Sequence, residues 1–124
     1  MSFTLATWNI NSVRLRAPLV AQFLQQEAPD ILCLQECKSP VELMPTEQFA
    51  ALGYPYLVAR GQKGYNGVAI LSKQPLEDVG AQDFAGLGHA RHVAARLDNG
   101  VTVHNFYVPA GGDVPDREKN EKFG

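Results

Sequence analysis

The chain has few cysteines, little excess charge and no long apolar run. Its 124 residues include two cysteines, Cys33 and Cys37. Along one extended stretch these would lie about 13 Å apart, which is too far for a disulfide because the Cα atoms must approach within about 7 Å. The spacing, with no second cysteine pair, also argues against a zinc site. We therefore predict two reduced thiols in a cytoplasmic protein.

The charge balance and the hydropathy pattern argue against strongly basic, membrane-spanning and secreted classes of protein. A formal net charge of −2 and a pI near 5.9 give no global sign of nucleic-acid binding, although a local basic rim can suffice. No apolar run approaches the length of about 20 residues that spans a membrane, so we predict no membrane partner. Early polar residues also interrupt any signal peptide. A hydrophobic content of 45% supports a packed core in one domain.

The amino-terminal part of the chain predicts a strand–helix–strand unit. Residues 3–8 form an apolar run typical of a buried strand, and apolar side chains at helical spacing predict a helix over 15–28. A second apolar run covers residues 30–36. Strands joined through a helix in this way are parallel. We therefore expect Asn9 and Glu36, which end the two runs, to lie at the same edge of a sheet.

The remainder predicts antiparallel strands and one more helix. That helix is expected to begin near Thr46, with Thr46 as its N-cap, and to end at Gly53. A glycine-rich turn and an Asn-Gly turn each predict a hairpin, with a looser stretch between them that holds a short strand. The predicted bounds are 54–60, 61–67 and 68–72 for the first hairpin, 74–90 for the looser stretch, and 93–97, 98–100 and 101–107 for the second hairpin. The fold class is thus α/β, a mixed sheet with flanking helices.

Oxygen-bearing side chains follow the predicted strands. Taken singly, a carboxylate at a strand end is most often a cap, and an asparagine there is most often a turn residue. However, ligands in α/β sheets collect outside the carboxyl ends of strands, and an isolated Glu36 there suits a hard cation. Cations and amides in the flanking loops suit a phosphate ester or a nucleic-acid backbone. These flanking residues are Lys38, Lys63, Tyr65, Asn66 and Arg91.

The remaining signals favour structural interpretations. The loop 61–67 contains Lys63 but lacks the P-loop pattern, so we interpret it as a hairpin loop. His89 and His92 are expected to be surface histidines near a turn. His104 alternates with neighbours on a strand and is expected to be structural.

Four blocks of the sequence resemble the exonuclease III type of apurinic/apyrimidinic endonuclease, within the endonuclease/exonuclease/phosphatase superfamily. In chain order the blocks are 8–14, WNINSVR; 34–38, LQECK; 61–73, GQKGYNGVAILSK; and 105–109, NFYVP. The blocks cover nearly the whole chain in order, and their combination is specific. The resemblance implies one half of a four-layer α/β sandwich, in which two similar halves pack face to face. One half alone is then expected to expose a sheet face.

The resemblance also implies roles for individual residues. Glu36 corresponds to the family's metal-binding glutamate, and Asn9 to the active-site asparagine that supports metal and phosphate. Tyr107 corresponds to the tyrosine that contacts the scissile phosphate. The implied cofactor is Mg²⁺, with Mn²⁺ as the alternative. The residues that fall where the family touches the DNA backbone are Arg14, Lys38, Tyr65 and Asn66. Two more are expected to bind nucleic acid: Asn11, at a position where relatives carry a polar metal-side residue, and Arg91, in the block that leads into the central hairpin.

The chain also departs from the family pattern. Cys37 replaces a common Thr, Ser12 stands where many relatives have Gly, and Ala110 stands where some relatives place an Asn that contacts the phosphate. The family's Asp-x-Asn motif, its later Asp and its catalytic Asp-His pair do not occur in these 124 residues. We therefore expect residues 1–124 to be the amino-terminal half of a single domain, inactive alone, in a protein about twice this length.

The protein implied by the resemblance is a DNA repair nuclease. It would hydrolyse phosphodiesters at abasic sites and at 3′ ends, with double-stranded DNA as its partner. Two alternatives stay open. One is a catalytically silent nucleic-acid-binding regulator of the same fold, and the other is a phosphatase or phosphodiesterase that acts on small substrates. The block 63–68 favours the DNA-acting branch over the second alternative.

Overall fold

The computed structural model describes residues 4–62, 64, 66–81 and 91–107, which form two β-sheets and two helices. In chain order the elements are β1 (Leu5–Asn9), α1 (Ala17–Glu27), β2 (Ile31–Gln35), a 3-10 turn (Val41–Leu43), α2 (Thr46–Ala51), β3 (Tyr56–Arg60), β4 (Val68–Ser72), β5 (Leu76–Gly80), β6 (His92–Leu97) and β7 (Thr102–Phe106). The predicted α/β class, both hairpins and the short strand between them are confirmed. Ala110, which departs from the family pattern, lies outside the described residues.

The first sheet has the strand order β1-β2-β4-β3 and is mixed. Strands β1 and β2 are parallel, as the strand–helix–strand pattern predicted, and β4 runs antiparallel to β2 and to β3. The register pairs Asn9 with Gln35, Gln35 with Val68, and Val68 with Arg60. The carboxyl ends of β1, β2 and β3 therefore meet at one edge, which we call the carboxyl edge of the first sheet.

Neither α1 nor α2 begins with a side-chain cap. Helix α1 carries a proline in its first turn and ends at Glu27, and the residue after it, Ala28, has a left-handed φ of 44°. The prediction that Thr46 caps α2 is wrong, because Thr46 is already the first helical residue and Pro45 precedes it without a side-chain cap. The carbonyl of Pro45 accepts from the amide of Phe49 at 3.2 Å, so the helical bonding starts one residue earlier. No helix in the described part of the chain is long and apolar enough to cross a membrane.

The second sheet, β5-β6-β7, is antiparallel and packs on one face of the first sheet. The core between the two sheets consists of Ile31, Cys33, Val58, Val68, Ile70, Val93, Ala95, Leu97 and Val103. The other face of the first sheet is covered by the helices, through residues such as Val20, Leu24 and Phe49. The second sheet therefore covers the remaining face of the first sheet, while the outer side of β7 carries the exposed Thr102, His104 and Phe106.

An ion pair ties the sheets together along β3. Both terminal nitrogens of Arg60 bond the carboxylate of Asp78 on β5, at 2.9 and 3.0 Å. The pair is partly exposed, so its contribution to stability is modest, about 1 kcal/mol or less. Its geometry nevertheless fixes which part of β5 faces β3.

Both cysteines are free thiols buried in the two cores. The premise of one extended stretch fails after β2, because Glu36 has a φ of 52°. Burial raises the pKa of Cys33 to about 11 and that of Cys37 to about 12. Both thiols thus stay protonated near neutral pH, where the thiol form is a poor nucleophile.

The prediction of surface histidines is wrong for His92, which is 5% exposed. His92 begins β6, one residue before the predicted start, and lies opposite Phe106 on β7. Its ring stacks on Phe106 with centroids 4.6 Å apart, and its Nε2 lies 3.1 Å from Nδ1 of His104. His89 lies outside the described residues.

His92 is expected to make stability fall in mild acid. Burial, and secondarily the charge of His104, lowers the pKa of His92 below its ordinary value near 6.5. The unfolded chain then binds more protons below about pH 6.5, so stability is lost as the pH falls from there to the folded pKa. His92→Phe keeps a stacked ring that does not titrate. Urea unfolding at about pH 7 and pH 5 is expected to show a smaller loss for the variant than for the parent.

The Arg60–Asp78 ion pair does not contribute to the change in stability between pH 7 and pH 5. A hydrogen bond from Arg60 lowers the pKa of Asp78, so the contribution of Asp78 to stability is lost only below about pH 4. Parallel losses in parent and His92→Phe between pH 7 and pH 5 would contradict the role given to His92.

Candidate active site

The segment that carries Glu36 is held by backbone hydrogen bonds on both sides. On one side lies the loop after β1, and on the other side lies the end of the glycine-rich loop before β4. The bonds run from Ser12 N to Glu36 O (2.8 Å), Val13 N to Cys37 O (2.9 Å), Cys37 N to Gly67 O (3.0 Å) and Lys38 N to Asn66 O (2.8 Å). The two loops thus fix the position of the Glu36 backbone beyond the carboxyl edge of the first sheet.

Left-handed backbone conformations concentrate in these three segments. Glu36 and Lys38 have φ values of 52° and 54°, and Asn11, Ser12 and Asn66 also have positive φ. A non-glycine residue in such a conformation costs about 1–3 kcal/mol and persists only where the surroundings impose it. Since such residues cluster at functional sites, the backbone points to this edge independently of the side chains.

Two glycines let the glycine-rich loop approach the Glu36 segment closely. A Cβ added at Gly61 would lie 2.3 Å from the backbone oxygen of Ser39. Gly67 has a φ of 95°, and a Cβ there would lie 3.2 Å from the Cβ of Cys37. These glycines therefore serve packing of the loop against the Glu36 segment, in agreement with its interpretation as a hairpin loop.

Glu36 and Tyr107 meet at this edge. The phenol of Tyr107 donates to Oε1 of Glu36 at 3.1 Å, and both residues are half-buried. The amide of Tyr107 donates to the carbonyl of Arg91 at 2.7 Å, which holds the end of β7. Burial, and then the hydrogen bond to Glu36, raises the pKa of Tyr107, while Arg91 lowers it. The phenol thus stays protonated and can donate a hydrogen bond throughout the neutral range.

The predicted cations lie beside these two residues. Nζ of Lys38 donates to Oδ1 of Asn11 at 2.5 Å. Nε of Arg91 makes a longer bond, 3.4 Å, to Oδ1 of Asn66. Asn66 is 6% exposed, and its amide nitrogen donates to Gln62 at 3.0 Å. The burial of Asn66 favours a role in holding Arg91 over the direct backbone contact predicted from the sequence.

Two predicted residues are exposed, and one cannot be placed. Asn9 ends β1 beside Gln35, and its side chain forms no hydrogen bond with any residue that the structure describes. Arg14 is exposed in the turn between β1 and α1. Tyr65, like Lys63, lies outside the described residues. The structure therefore brings Asn9, Glu36 and Tyr107 to one end of the two sheets.

Comparison with known proteins gives the family of this fold and site. Residues 6–121 match the profile of the Endonuclease/Exonuclease/phosphatase family. The chain belongs to this family. It is 40% identical to exodeoxyribonuclease III of Haemophilus influenzae, over 94% of this chain and 46% of that protein.

Solved structures of similar proteins superpose on this chain and support the same family assignment. An AP endonuclease from Archaeoglobus fulgidus superposes with a TM-score of 0.85 and 35% identity, over 98% of this chain and 47% of its own. A 3′ phosphatase from Neisseria, bound to a product DNA hairpin, gives 0.82 and 35%, over 98% of this chain and 48% of its own. The resemblance to exonuclease III-type enzymes is thus confirmed, and the chain spans about half the length of these relatives.

The oxygen-bearing side chains at the carboxyl edge of the first sheet have the chemistry that a hard cation prefers. Among the described residues, no group of three or more histidine, cysteine or acidic side chains could hold a metal. Mg²⁺ does not need three such side chains, because it is bound through one or two carboxylates and keeps several water ligands. The carboxylate of Glu36, with the carboxamide oxygen of Asn9 at the same edge, matches that donor set.

Sequence reasoning missed a hydrogen-bonded pair beside the candidate site, Gln35 and Asn105. Asn105 is 2% exposed between the sheets, and Gln35 Nε2 donates to its Oδ1 at 2.8 Å. The available signal was alternation in β7, where Val103 and Tyr107 face the first sheet and place Asn105 on the same face. A polar side chain at an inward position of a strand needs hydrogen-bond partners, and that need could have indicated a buried network.

Proposed function

We propose that residues 1–124 form the amino-terminal half of a single domain in a magnesium-dependent DNA repair nuclease of exonuclease III type. The complete protein hydrolyses phosphodiesters of duplex DNA at abasic sites and at 3′ ends. The observation that carries the proposal is the hydrogen bond from Tyr107 to Glu36, 3.1 Å long, at the edge that also carries Asn9. An AP endonuclease, an exodeoxyribonuclease and a DNA-bound phosphatase among the relatives support the substrate class.

Each central residue has one task in this proposal. Glu36 and Asn9 hold Mg²⁺, or Mn²⁺ as the alternative. When bound there, a divalent cation would supply positive charge that makes attack of water on a phosphodiester easier. Tyr107 keeps its proton. Its single O–H, which donates to Glu36 in the structure, turns to a phosphate oxygen when DNA binds, where a preformed donor is most effective as charge develops.

A local basic rim supplies affinity for DNA despite the net charge of −2. Arg14, Lys38 and Arg91 contact phosphates, and Asn11 lies beside Lys38 in the rim. Tyr65 is assigned to nucleic-acid binding from the sequence alone. Asn66 supports Arg91. Contacts of this kind set position and affinity without reading sequence.

The remaining catalytic groups come from the carboxyl-terminal half. Within the described residues Glu36 is the carboxylate at the centre of the site, and hydrolysis also needs a group that activates water and one that stabilises the leaving oxygen. Residues 1–124 alone are therefore inactive. The proposed location is the cytoplasm, which two free, buried thiols support.

Substrate comparison with the complete protein tests the proposal. Three substrates are incubated with Mg²⁺, with Mn²⁺ and with a chelator: an abasic duplex, a duplex with recessed 3′ ends and a phosphoinositide. Metal-dependent cleavage of the two duplexes is expected. Turnover of the phosphoinositide alone would favour the phosphatase alternative, and DNA binding without cleavage would favour the regulator.

Lys38→Ala is expected to weaken DNA binding and flatten its salt dependence. Each lost phosphate contact lowers the slope of log K against log salt by about 0.9. The matched control is Lys73→Ala, because Lys73 follows β4 at the opposite edge and donates to the carbonyl of Ala28 at 3.0 Å. Fluorescence anisotropy at several salt concentrations measures both slopes. Equal slopes for the two variants would show that Lys38 does not contact a DNA phosphate.

A further inference from the structure

Asn105 forms a hydrogen-bonded bridge between the two sheets. It lies on β7, two residues before Tyr107. Its Nδ2 donates to the carbonyl of Leu34 on β2 at 2.9 Å and to the carbonyl of Ala69 on β4 at 2.8 Å. Its Oδ1 accepts from Nε2 of Gln35 at 2.8 Å, and that nitrogen also donates to Thr7 on β1 at 2.9 Å. One side chain of the second sheet thus contacts three strands of the first, directly or through Gln35.

The partners define the orientation of the amide. Both hydrogens of Nδ2 point at backbone carbonyls, so a flipped amide would place its oxygen against two acceptors. Gln35 likewise uses both hydrogens of Nε2 on acceptors. The network therefore has one arrangement, and it fixes the position of β7 over β2 and β4.

The apolar contacts around Asn105 cannot supply the same precision. The core between the sheets is made of valine, isoleucine, alanine and leucine side chains, whose packing is not directional. A carboxamide that is 2% exposed stays favourable only when it is paired. Its three hydrogen bonds are directional and so oppose sliding of one sheet over the other.

The bridge stands next to the site in sequence on both strands. Leu34 precedes Glu36 by two residues, and Asn105 precedes Tyr107 by two residues, a distance of about 7 Å along a strand. We propose that Asn105 is a positioning residue, which fixes the end of β7 over the end of β2 so that the phenol of Tyr107 meets Glu36. This inference rests on the proposed function only where it concerns turnover.

The first test compares Asn105→Ala with Val103→Ala in the complete protein. Val103 lies on the same strand and face and is also buried, so its truncation weakens the same sheet contact without removing a hydrogen bond. Misplacement of reacting groups by about 1 Å can cost about 100-fold in rate. Asn105→Ala is expected to lower kcat on an abasic duplex about 10- to 100-fold with little change in KM, whereas Val103→Ala leaves both near the parent values.

A double-mutant cycle tests whether Asn105 acts through Tyr107. In a Tyr107→Phe background, Asn105→Ala is expected to lower kcat by less than about three-fold, because the contact it positions is already gone. Full additivity of the two losses would overturn the proposal.

A spectroscopic measurement needs no turnover. With ¹³C-labelled tyrosine, the ring Cζ signal of Tyr107 is assigned by its loss in Tyr107→Phe. The chemical shift of this signal is expected to change in Asn105→Ala and to keep its parent value in Val103→Ala. If Asn105→Ala does not fold, Gln35→Met, which removes only the bonds of Gln35, is expected to shift the signal away from its position in the parent, and an unshifted signal would overturn the positioning role.

The outcomes separate the two proposals. A parent protein that cleaves no DNA contradicts the proposed function, while the Tyr107 signal still decides on positioning. A signal that is identical in Asn105→Ala, Val103→Ala and the parent overturns the positioning role, whatever the activity.

Discussion

Glu36→Gln in the complete protein is expected to lower kcat for abasic DNA by about 1,000-fold or more, while DNA affinity changes little. The substitution keeps the size of the side chain and an oxygen that accepts from Tyr107, but it removes the negative charge with which Glu36 is proposed to hold a divalent cation. Loss of charge stabilisation by a metal is worth several kcal/mol, and about 4 kcal/mol corresponds to 1,000-fold. Single-turnover cleavage and anisotropy measure the two quantities separately.

The matched control for Glu36→Gln is Glu27→Gln. Glu27 is the last residue of α1, which runs back from the carboxyl edge, so the control removes the same charge far from the site. Calorimetric titration with Mn²⁺ is expected to lose binding only in Glu36→Gln. Undiminished turnover or an unchanged Mn²⁺ affinity in this variant would disprove the metal role of Glu36.

Tyr107→Phe is expected to lower kcat by about 100-fold, with KM nearly unchanged. The variant keeps the ring but removes the donor that lies 3.1 Å from Glu36, and loss of one preformed donor at a developing charge costs about 100- to 1,000-fold. The raised pKa of Tyr107 keeps the phenol protonated in the parent protein. The ratio of parent to variant activity is therefore expected to be constant between about pH 6 and pH 9.

Tyr56→Phe is the control for the loss of a phenol. Tyr56 begins β3 at the edge opposite the site and is 38% exposed, so its hydroxyl group has no part in the proposed chemistry. A pH-dependent ratio for Tyr107→Phe would indicate that Tyr107 titrates as a general acid or base instead of acting as a fixed donor.

The sequence was sufficient to predict the elements of the first sheet. Helical spacing over 15–28 and the apolar runs on each side predicted a parallel pair, and the structure has β1, α1 and β2 in that arrangement. Periodicity works here because each element buries one face or both. The shared edge of Asn9 and Glu36 followed from strand direction alone.

The sequence could not predict how the sheets stack or what holds them together. The same alternation is compatible with one large sheet or with two stacked sheets, because it reports which side chains are inward and not what they meet. His92 and Asn105 were missed for the same reason. Each is polar in a strand, and its burial depends on partners that come from another strand or sheet.

The left-handed conformations of Glu36 and Lys38 have a consequence for the evolution and redesign of this fold. Glycine or asparagine would relieve the backbone at both positions, so selection for stability alone favours replacing the carboxylate and the ammonium group. Selection of variants for thermal stability alone would then tend to replace Glu36 and Lys38 early, although both belong to the proposed site. Persistence of an acidic residue at position 36 across diverged sequences would thus record purifying selection for turnover and not for folding.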